Sequence, residues 1–395
     1  VDERLVHIIR NNVREAGQVI GDLFSLSSCN DIGHKRLMEM MDEFQLDDLN
    51  ELRDFIFEHS LKATLERLRD LPAGSYDNEM TVDGFDRAVT MKLRLDVSAD
   101  QVLADFDGTS GLSSKGINVP LVYTTAYACY ALKCTLAPQI PNNHASLSPF
   151  KVTAPVNCIL NAVHPAPVAI RHVLGQFLPD VVLGALHKML PDTVPAEGSS
   201  ALWNVQLGAR PIENAQAAEG EVLRNSQILM FNSGGTGARP TLDGLSATAF
   251  PSGVHTMSTE VTEHVGPITI WRKDLREGSG GAGRQRGGLG QVIEISANPG
   301  HRIYINAMFD RCENPARGRD GGKPGAAGAV RLDDGSALQS KGMQWIPDGR
   351  HLVLELPGGG GFGEPCSRDP VLVKQDVARE YISVEQAGSD YGKES

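Results

Sequence analysis

The stretch Gly278-Ser-Gly-Gly-Ala-Gly-Arg-Gln-Arg-Gly-Gly-Leu-Gly290 constrains this chain more than any other, because seven of its thirteen residues are glycine. Glycine loses more backbone entropy on ordering than any other residue. So dense a run demands either backbone geometry open only to glycine or a flexible segment. A strand-like run, Ile268–Trp271, precedes it and another, Val292–Ile295, follows, so it reads as a long loop between two strands. Its Gly278-x-Gly280-x-x-Gly283 spacing formally fits a dinucleotide fingerprint. That fingerprint needs a helix after the turn, and here a strand follows. A phosphate loop is excluded as well, since Pro324 follows Lys323 and the upstream glycine position holds Arg317. The loop therefore reads as architecture, with Arg284 and Arg286 as its chemical handles.

The chain has 395 residues and a net charge of −12, an acid excess that argues against nucleic acid or an anionic membrane as the main partner. No apolar run reaches the ~18–20 residues of a membrane helix. Six scattered cysteines without a CxxC pair fit reduced thiols in a cytoplasmic protein.

In chain order, residues 4–71 carry helical periodicity. Leu5, Ile8, Ile9, Val13, Ala16, Val19, Ile20 and Leu23 predict a first helix with no good cap ahead of it. A second is expected from about Ile32 through Phe44 and a third from Leu49 to Leu71, the apolar stripes forming the core of a small bundle. The early helical start and the Val1 terminus predict a sequence incomplete at its amino end. The period then changes to two: Val89, Met91, Leu93, Leu95 and Val97 predict a half-buried antiparallel strand, with Gln101–Phe106 as its partner. A buried helix is expected over Val119–Leu136 and a strand over Lys151–Leu160. A helix is expected from Pro167 to Leu190, and strands over Leu202–Leu207 and Val222–Phe231. Further strands are predicted at Ile303–Ala307, Val330–Leu332 and Leu352–Leu356, and the last thirty residues read as a helix with a loose tail. The fold class predicted is α+β: an amino-terminal helical segment, antiparallel strands with packed helices, and a β-rich carboxyl region with glycine-rich loops. The expected division is one interlocked body over 1–365, with sub-parts 1–71, 72–260 and 261–365, and a polar tail over 366–395.

No HExxH and no GxSxG occur. The candidates are therefore single residues. Arg171 and His172 suit catalysis, since histidine titrates near neutrality and arginine holds carboxylate or carbonyl oxygens. Asp107 and Asn118 sit beside turns, and Arg239 between a glycine-rich segment and Pro240 is placed to hold an anion. His255, Glu260, Glu263 and His264 offer ligand or base chemistry on one short segment.

Five blocks in order now resemble one family: Ala104-Asp-Phe-Asp-Gly-Thr-Ser110, Ile117-Asn-Val-Pro120, Gly234-Gly-Thr-Gly-Ala-Arg-Pro240, Ser279–Gly290 and Gly358-Gly-Gly-Gly-Phe-Gly363. Together they resemble the hydantoinase B/5-oxoprolinase family. The resemblance implies ATP-dependent opening of a small cyclic amide, in which phosphorylation of the amide oxygen makes it a leaving group. It implies ATP with Mg on a partner hydantoinase A-type ATPase subunit, and a hetero-oligomer. It implies a divalent metal on an amino-terminal portion whose motifs do not occur from Val1 onward, so that this chain alone is expected to be inactive and to hold neither cofactor. Many members have a Gly-Gly-Asn stretch where this chain reads Val168-Ala-Ile-Arg-His172. That departure favours Arg171 and His172 as catalytic, with Asp107, Asn118, Arg239, His255 and Glu260 toward substrate. Two other readings stand beside this one: a ketone carboxylase subunit, and a non-catalytic assembly subunit for the ATPase.

Overall fold

The computed structural model describes residues 1–13, 16–213 and 223–392, which fall into two compact units, Val1–Lys62 and Ala63–Ser395. The first unit holds α1 (Glu3–Asn12), α2 (Ala16–Glu43) and most of α3 (Asn50–Arg69). Asp2 caps α1 after all, its carboxylate accepting from the Arg4 amide at 2.8 Å. The single helix expected through Leu23 is two: the chain leaves helix at Val13, extended at φ −121° and ψ 156°, and α2 then runs unbroken through Ile32 and Gly33. The expected bundle core does not form from these stripes. No residue of α1 or α2 is buried, and Leu5, Ile8, Phe24, Leu26 and Ile32 are exposed. Helical periodicity records which face is apolar and carries no information on what covers it.

The second unit opens with β1 (Gly74–Val82), β2 (Val89–Val97) and β3 (Val102–Asp105), then α4 (Leu121–Leu136), α5 (His144–Leu147) and β4 (Phe150–Thr153). These strands form one sheet in the order β1-β2-β3-β4, antiparallel except for the parallel pair β3 and β4. Met91, Leu93 and Leu95 of β2 point into the core, as the alternation predicts, and Lys92 and Arg94 point out. Next come α6 (His172–Gly175), α7 (Leu178–Met189), β5 (Leu202–Pro211) and β6 (Ser226–Ser233). The expected strand at Val222 begins outside the described residues; the rest of it is β6. The remainder is α8 (Thr259–Val265), β7 (Ile268–Leu275), β8 (Gln291–Ala297), β9 (His301–Met308), β10 (Ala329–Leu332), β11 (Lys341–Trp345), β12 (Leu352–Glu355), α9 (Pro370–Ala378) and α10 (Val384–Tyr391). Two further sheets result, ordered β10-β12-β8-β7 and β11-β9-β5-β6, and one continuous apolar core runs through all three sheets with α4 and α7. The strand expected over Lys151–Leu160 pairs only as far as Thr153, because the chain turns at Pro155. Among the described residues no helix is long and apolar enough to cross a membrane.

The glycine-rich segments meet one another backbone to backbone. The Gly288 amide donates to the Thr236 carbonyl, Gly359 to Gly288, Gly281 to Gly359, and Gly287 to Gly281, all at 2.9 Å. A Cβ on Gly287 would lie 1.9 Å from the Gly359 carbonyl oxygen, and one on Gly359 would lie 1.9 Å from that of Thr236. The thirteen-residue loop is thus an ordered layer of peptide groups, and its glycines answer a need for close approach.

The carboxyl-terminal segment is not a loose tail through residue 392. Val373, Ile382, Ala387 and Tyr391 are buried with Ala282 of the glycine layer. Arg368, fully buried, pairs with Asp243 and Asp376 at 2.7 Å each. Arg286 is spent in the same place, donating to Asp376 at 3.2 Å and to the Gly287 carbonyl at 2.7 Å. Arg368 and Asp376 of this segment are thus neutralised by Asp243 and Arg286 under the layer.

Gly359→Ala and Gly287→Ala are expected to cost more than about 3 kcal/mol, because the atom in the way is a hydrogen-bonded backbone that cannot retreat. Gly33→Ala, with nothing within 4 Å in α2, should instead gain about 0.5–1 kcal/mol. Thermal or urea unfolding of the three variants checks both signs.

Candidate functional site

Arg171 and His172 stand at the start of α6, and the chain around them is pinned from below. Asn118 is fully buried and accepts from the Ser113 amide at 2.8 Å while its own amide donates to the carbonyls of Ser113, Lys115 and Pro167. The Ile170 amide donates to the Gly116 carbonyl at 2.9 Å. These bonds tie the segment before Arg171 to the 113–118 loop. Asn118 is therefore consumed by backbone and shapes the site from within.

The Arg171 guanidinium lies 5.7 Å from the centroid of the Tyr123 ring, which stacks on Tyr127 at 4.5 Å with planes 8° apart. Gly175 allows this, since a Cβ there would sit 2.1 Å from a Tyr123 ring carbon. Burial raises the Tyr123 hydroxyl well above the ordinary tyrosine range, with its hydrogen bond to Tyr127 acting in the same direction. His172 is half-buried, and its Nε2 is buried with no hydrogen-bond partner among the described residues. Burial, and then the charge of Arg171, pull its pKa below the ordinary histidine value. The result is an imidazole held toward its neutral form, its Nε2 buried and unpaired, next to a permanent cation that lies over the Tyr123 ring. Such a set can take a proton from a ring N–H or a water and hold the neighbouring oxygen. Tyr123 and Tyr127, one turn apart on α4, were hidden in what read only as a buried helix.

Asp107 lies elsewhere, on an open groove of about 550 Å³ across the outer face of β1–β3 that also takes in Lys188 and Arg317. Arg171 and His172 do not line it. Arg317 is built in from behind: its Nε donates to Glu197 at 2.6 Å, its own amide to the other Glu197 oxygen at 2.9 Å, and its Nη2 to the Glu79 carbonyl at 2.8 Å. Burial raises Glu197, but Arg311 and Arg317 outweigh it and hold the carboxyl below the ordinary range. Buried Arg311 donates to the carbonyls of Ser199, Gly198, Asn314 and Pro315. Asp180 accepts from the Ser200 hydroxyl at 2.5 Å and the Gly198 amide at 3.1 Å, and burial, with the charge of Glu197, pushes it up to about 6. Asp310 is also pushed up to about 6 by burial, against the pull of Lys341 at 3.2 Å.

The remaining candidates are scattered. Arg239 closes its own turn, donating to the Asp243 carbonyl at 2.7 and 3.2 Å. His255 and Glu260 are exposed in and before α8, His264 is exposed at its end, and Glu263 accepts from the Ile270 amide at 2.8 Å. Arg284 donates to the Pro240 carbonyl at 3.2 Å. Among the described residues no three His, Cys, Asp or Glu side chains group as metal ligands would. The described residues therefore do not fit a metal centre.

The family model for hydantoinase B/oxoprolinase matches residues 1–365. The chain belongs to this family. It is 28% identical to an uncharacterized protein of Methanocaldococcus jannaschii, over 99% of this chain and 67% of that protein. Identity is 26% to the caprolactamase subunit beta of Pseudomonas jessenii, over 99% and 68% of the two chains. To 5-oxoprolinase 1 of Arabidopsis thaliana it is 26%, over 87% of this chain and 27% of that one. The solved structure of the ATP-dependent caprolactamase from Pseudomonas jessenii shares the fold with a TM-score of 0.81 at 21% identity, across 99% of this chain and 69% of that one. A nucleotide-free acetone carboxylase structure shares it at a TM-score of 0.81 and 17% identity, across 99% and 59%. The chain thus spans about two thirds of the length of the Methanocaldococcus protein and of the caprolactamase subunit. A relative named as a subunit beta implies that family members work with a partner chain.

In this family member the raised carboxyls set a pH dependence. Folded Asp180 and Asp310 hold their protons until about pH 6, whereas the unfolded side chains release theirs near 3.8. The folded state binds more protons between those values, so stability falls as pH rises through that window and is level above it, by on the order of 2–3 kcal/mol per group. Asp180→Asn should flatten the slope of Tm between pH 4 and 6 by roughly half, as scanning calorimetry at stepped pH will report.

Proposed function

We propose that this chain is part of an ATP-dependent amidohydrolase that opens a small cyclic amide such as a hydantoin or 5-oxoproline, working in the cytoplasm with an ATPase partner. The observation that carries the reading is the unpaired His172 nitrogen, its ring held toward the neutral form beside Arg171, in a chain whose family includes a caprolactamase subunit and 5-oxoprolinases. An unstrained amide is a poor electrophile. Phosphorylation of its oxygen by the partner makes the carbon electrophilic; water adds, the C–N bond breaks as the ring nitrogen leaves protonated, and the acyl phosphate that remains is hydrolysed by a second water to carboxylate and phosphate. Arg171 holds the charged oxygen. His172 takes the proton from the attacking water or returns one to the departing ring nitrogen. In this reading ATP binds on the partner, and no step is assigned to a metal held by the residues described here.

The test is ATP-dependent ring opening by the reconstituted complex, with the longer polypeptide and the partner present. His172→Gln and Arg171→Ala are each expected to lower kcat by about 10²-fold or more. The acid limb of the kcat/KM profile should lie below the ordinary histidine value and vanish in His172→Gln. Unchanged turnover in both variants sinks the assignment. ATP hydrolysis that requires bicarbonate and a ketone would replace it with carboxylation.

A further inference from the structure

The groove over β1–β3 has its charges sorted by position. β1 is the edge strand, and there Arg317 binds the Glu79 carbonyl, with Lys188 from the last turn of α7 beside it. Asn78 fixes the helix to the strand by donating to the Val181 carbonyl at 2.7 Å, which sets where Lys188 emerges. Two strands away, the end of β3 presents Asp105 and Asp107. Between these ends Lys92 faces Glu79 in register, and Arg94 faces Asp77 on one side and Asp105 on the other while binding Asp96 at 3.0 Å. The positive charge not taken up by that face is at the β1 edge, from Lys188 and Arg317, and the β3 end is negative. Lys188 and the Asp107 carboxylate have no partner among the described residues, and Arg317 is held rigid by Glu197 while half of it remains exposed. At ~4.8 Å per strand the two ends lie roughly 10 Å apart.

We infer that this groove is a binding site for a small zwitterionic amino acid, its carboxylate on Lys188 and Arg317 and its ammonium on Asp107. The volume of about 550 Å³ is in the ordinary range for a small ligand. The separation suits an extended amino acid with its charges at opposite ends better than one with both on a single carbon. The choice of ligand class rests on the proposed reaction, since hydrolysis of a lactam frees one carboxylate and one amine on the same molecule. The charge layout itself does not depend on that reading. On this account the groove receives the opened product, apart from the residues that open it.

Isothermal titration of the full chain with 6-aminohexanoate, hexanoate, hexylamine and glycine tests this directly. The expected result is binding of 6-aminohexanoate at least tenfold tighter than any of the other three. Lys188→Ala and Arg317→Gln should weaken it at least fivefold by loss at the carboxylate end. Asp107→Asn should weaken it similarly at the ammonium end and leave hexanoate unaffected. Lys188 and Asp107 are exposed, so those two variants are expected to fold and keep the test decisive. No detectable binding of 6-aminohexanoate, equal affinity for the singly charged probes, or indifference to all three substitutions overturns the site. The titration needs neither partner nor turnover. Binding without ring opening in the reconstituted complex removes the proposed function and keeps the groove, and ring opening without binding does the reverse.

Discussion

Carbonyl oxygens occupy the space where side chains would begin in the glycine-rich segments, and the second unit depends on that contact. A Cβ at Gly358 would lie 1.8 Å from the Ser279 carbonyl, and one at Gly235 would lie 1.9 Å from that of Gly288. Peptide groups stacked so closely satisfy one another. Each buried N–H that would cost a lost hydrogen bond finds a carbonyl on the next segment. The ordering entropy of so many glycines is large, and a continuous network of main-chain bonds offsets it. Few apolar side chains are needed in the layer, Ala282, Leu289 and Phe362 among them, which explains how a stretch with little hydrophobic content lies buried.

The layer also fixes the charged groups around it. The Gly360 amide donates to the Glu197 carbonyl, the Glu197 amide to the Arg317 carbonyl, and the Ala238 amide to the Gly360 carbonyl. Glu197 and Arg317 are thus neighbours because their backbones belong to one network. Buried charge is costly unless paired and hydrogen-bonded. Here the carbonyls of residues 198, 199, 314 and 315 surround Arg311, so the guanidinium is solvated by fixed dipoles. On the opposite flank, Arg286 and Arg368 are held between Asp243 and Asp376. The rigid layer and its ion pairs therefore explain each other: neither the arginines nor the glycines tolerate displacement of the other.

Much of this was legible in the sequence and some was not, for identifiable reasons. The period of two in β2 was unambiguous because its inner face is wholly buried. Its neighbour β1 was missed because only Met80 and Val82 are buried on that edge strand, so no alternation of polarity marks it. The edge strand β11, which has no fully buried residue, was missed for the same reason. The glycine loop was correctly read as architecture, yet its partners lie in segments far apart in sequence that periodicity cannot join. Arg171 and His172 were legible by residue type. Arg317 was not, because what distinguishes it is Glu197, 120 residues away. The exposed stripes of α1 and α2 show the converse error, in which an apolar face was equated with a buried one.

The pairing of Arg171 with His172 carries its own electrostatic logic. Arginine stays charged throughout the accessible pH range, and its field is one of the two causes that lower the proton affinity of His172. The imidazole is consequently held toward its neutral form. An anionic oxygen seated on Arg171 would offset that field and raise the affinity of His172 for a proton at the moment a ligand arrives. Desolvation, the larger cause, would persist, because the ligand replaces water rather than admitting it. In the proposed role of His172 as a base, these two causes would keep it unprotonated before the ligand arrives and strengthen it afterwards. Tyr123 contributes to this arrangement by holding the guanidinium on its ring face, so the field that His172 feels has a fixed origin.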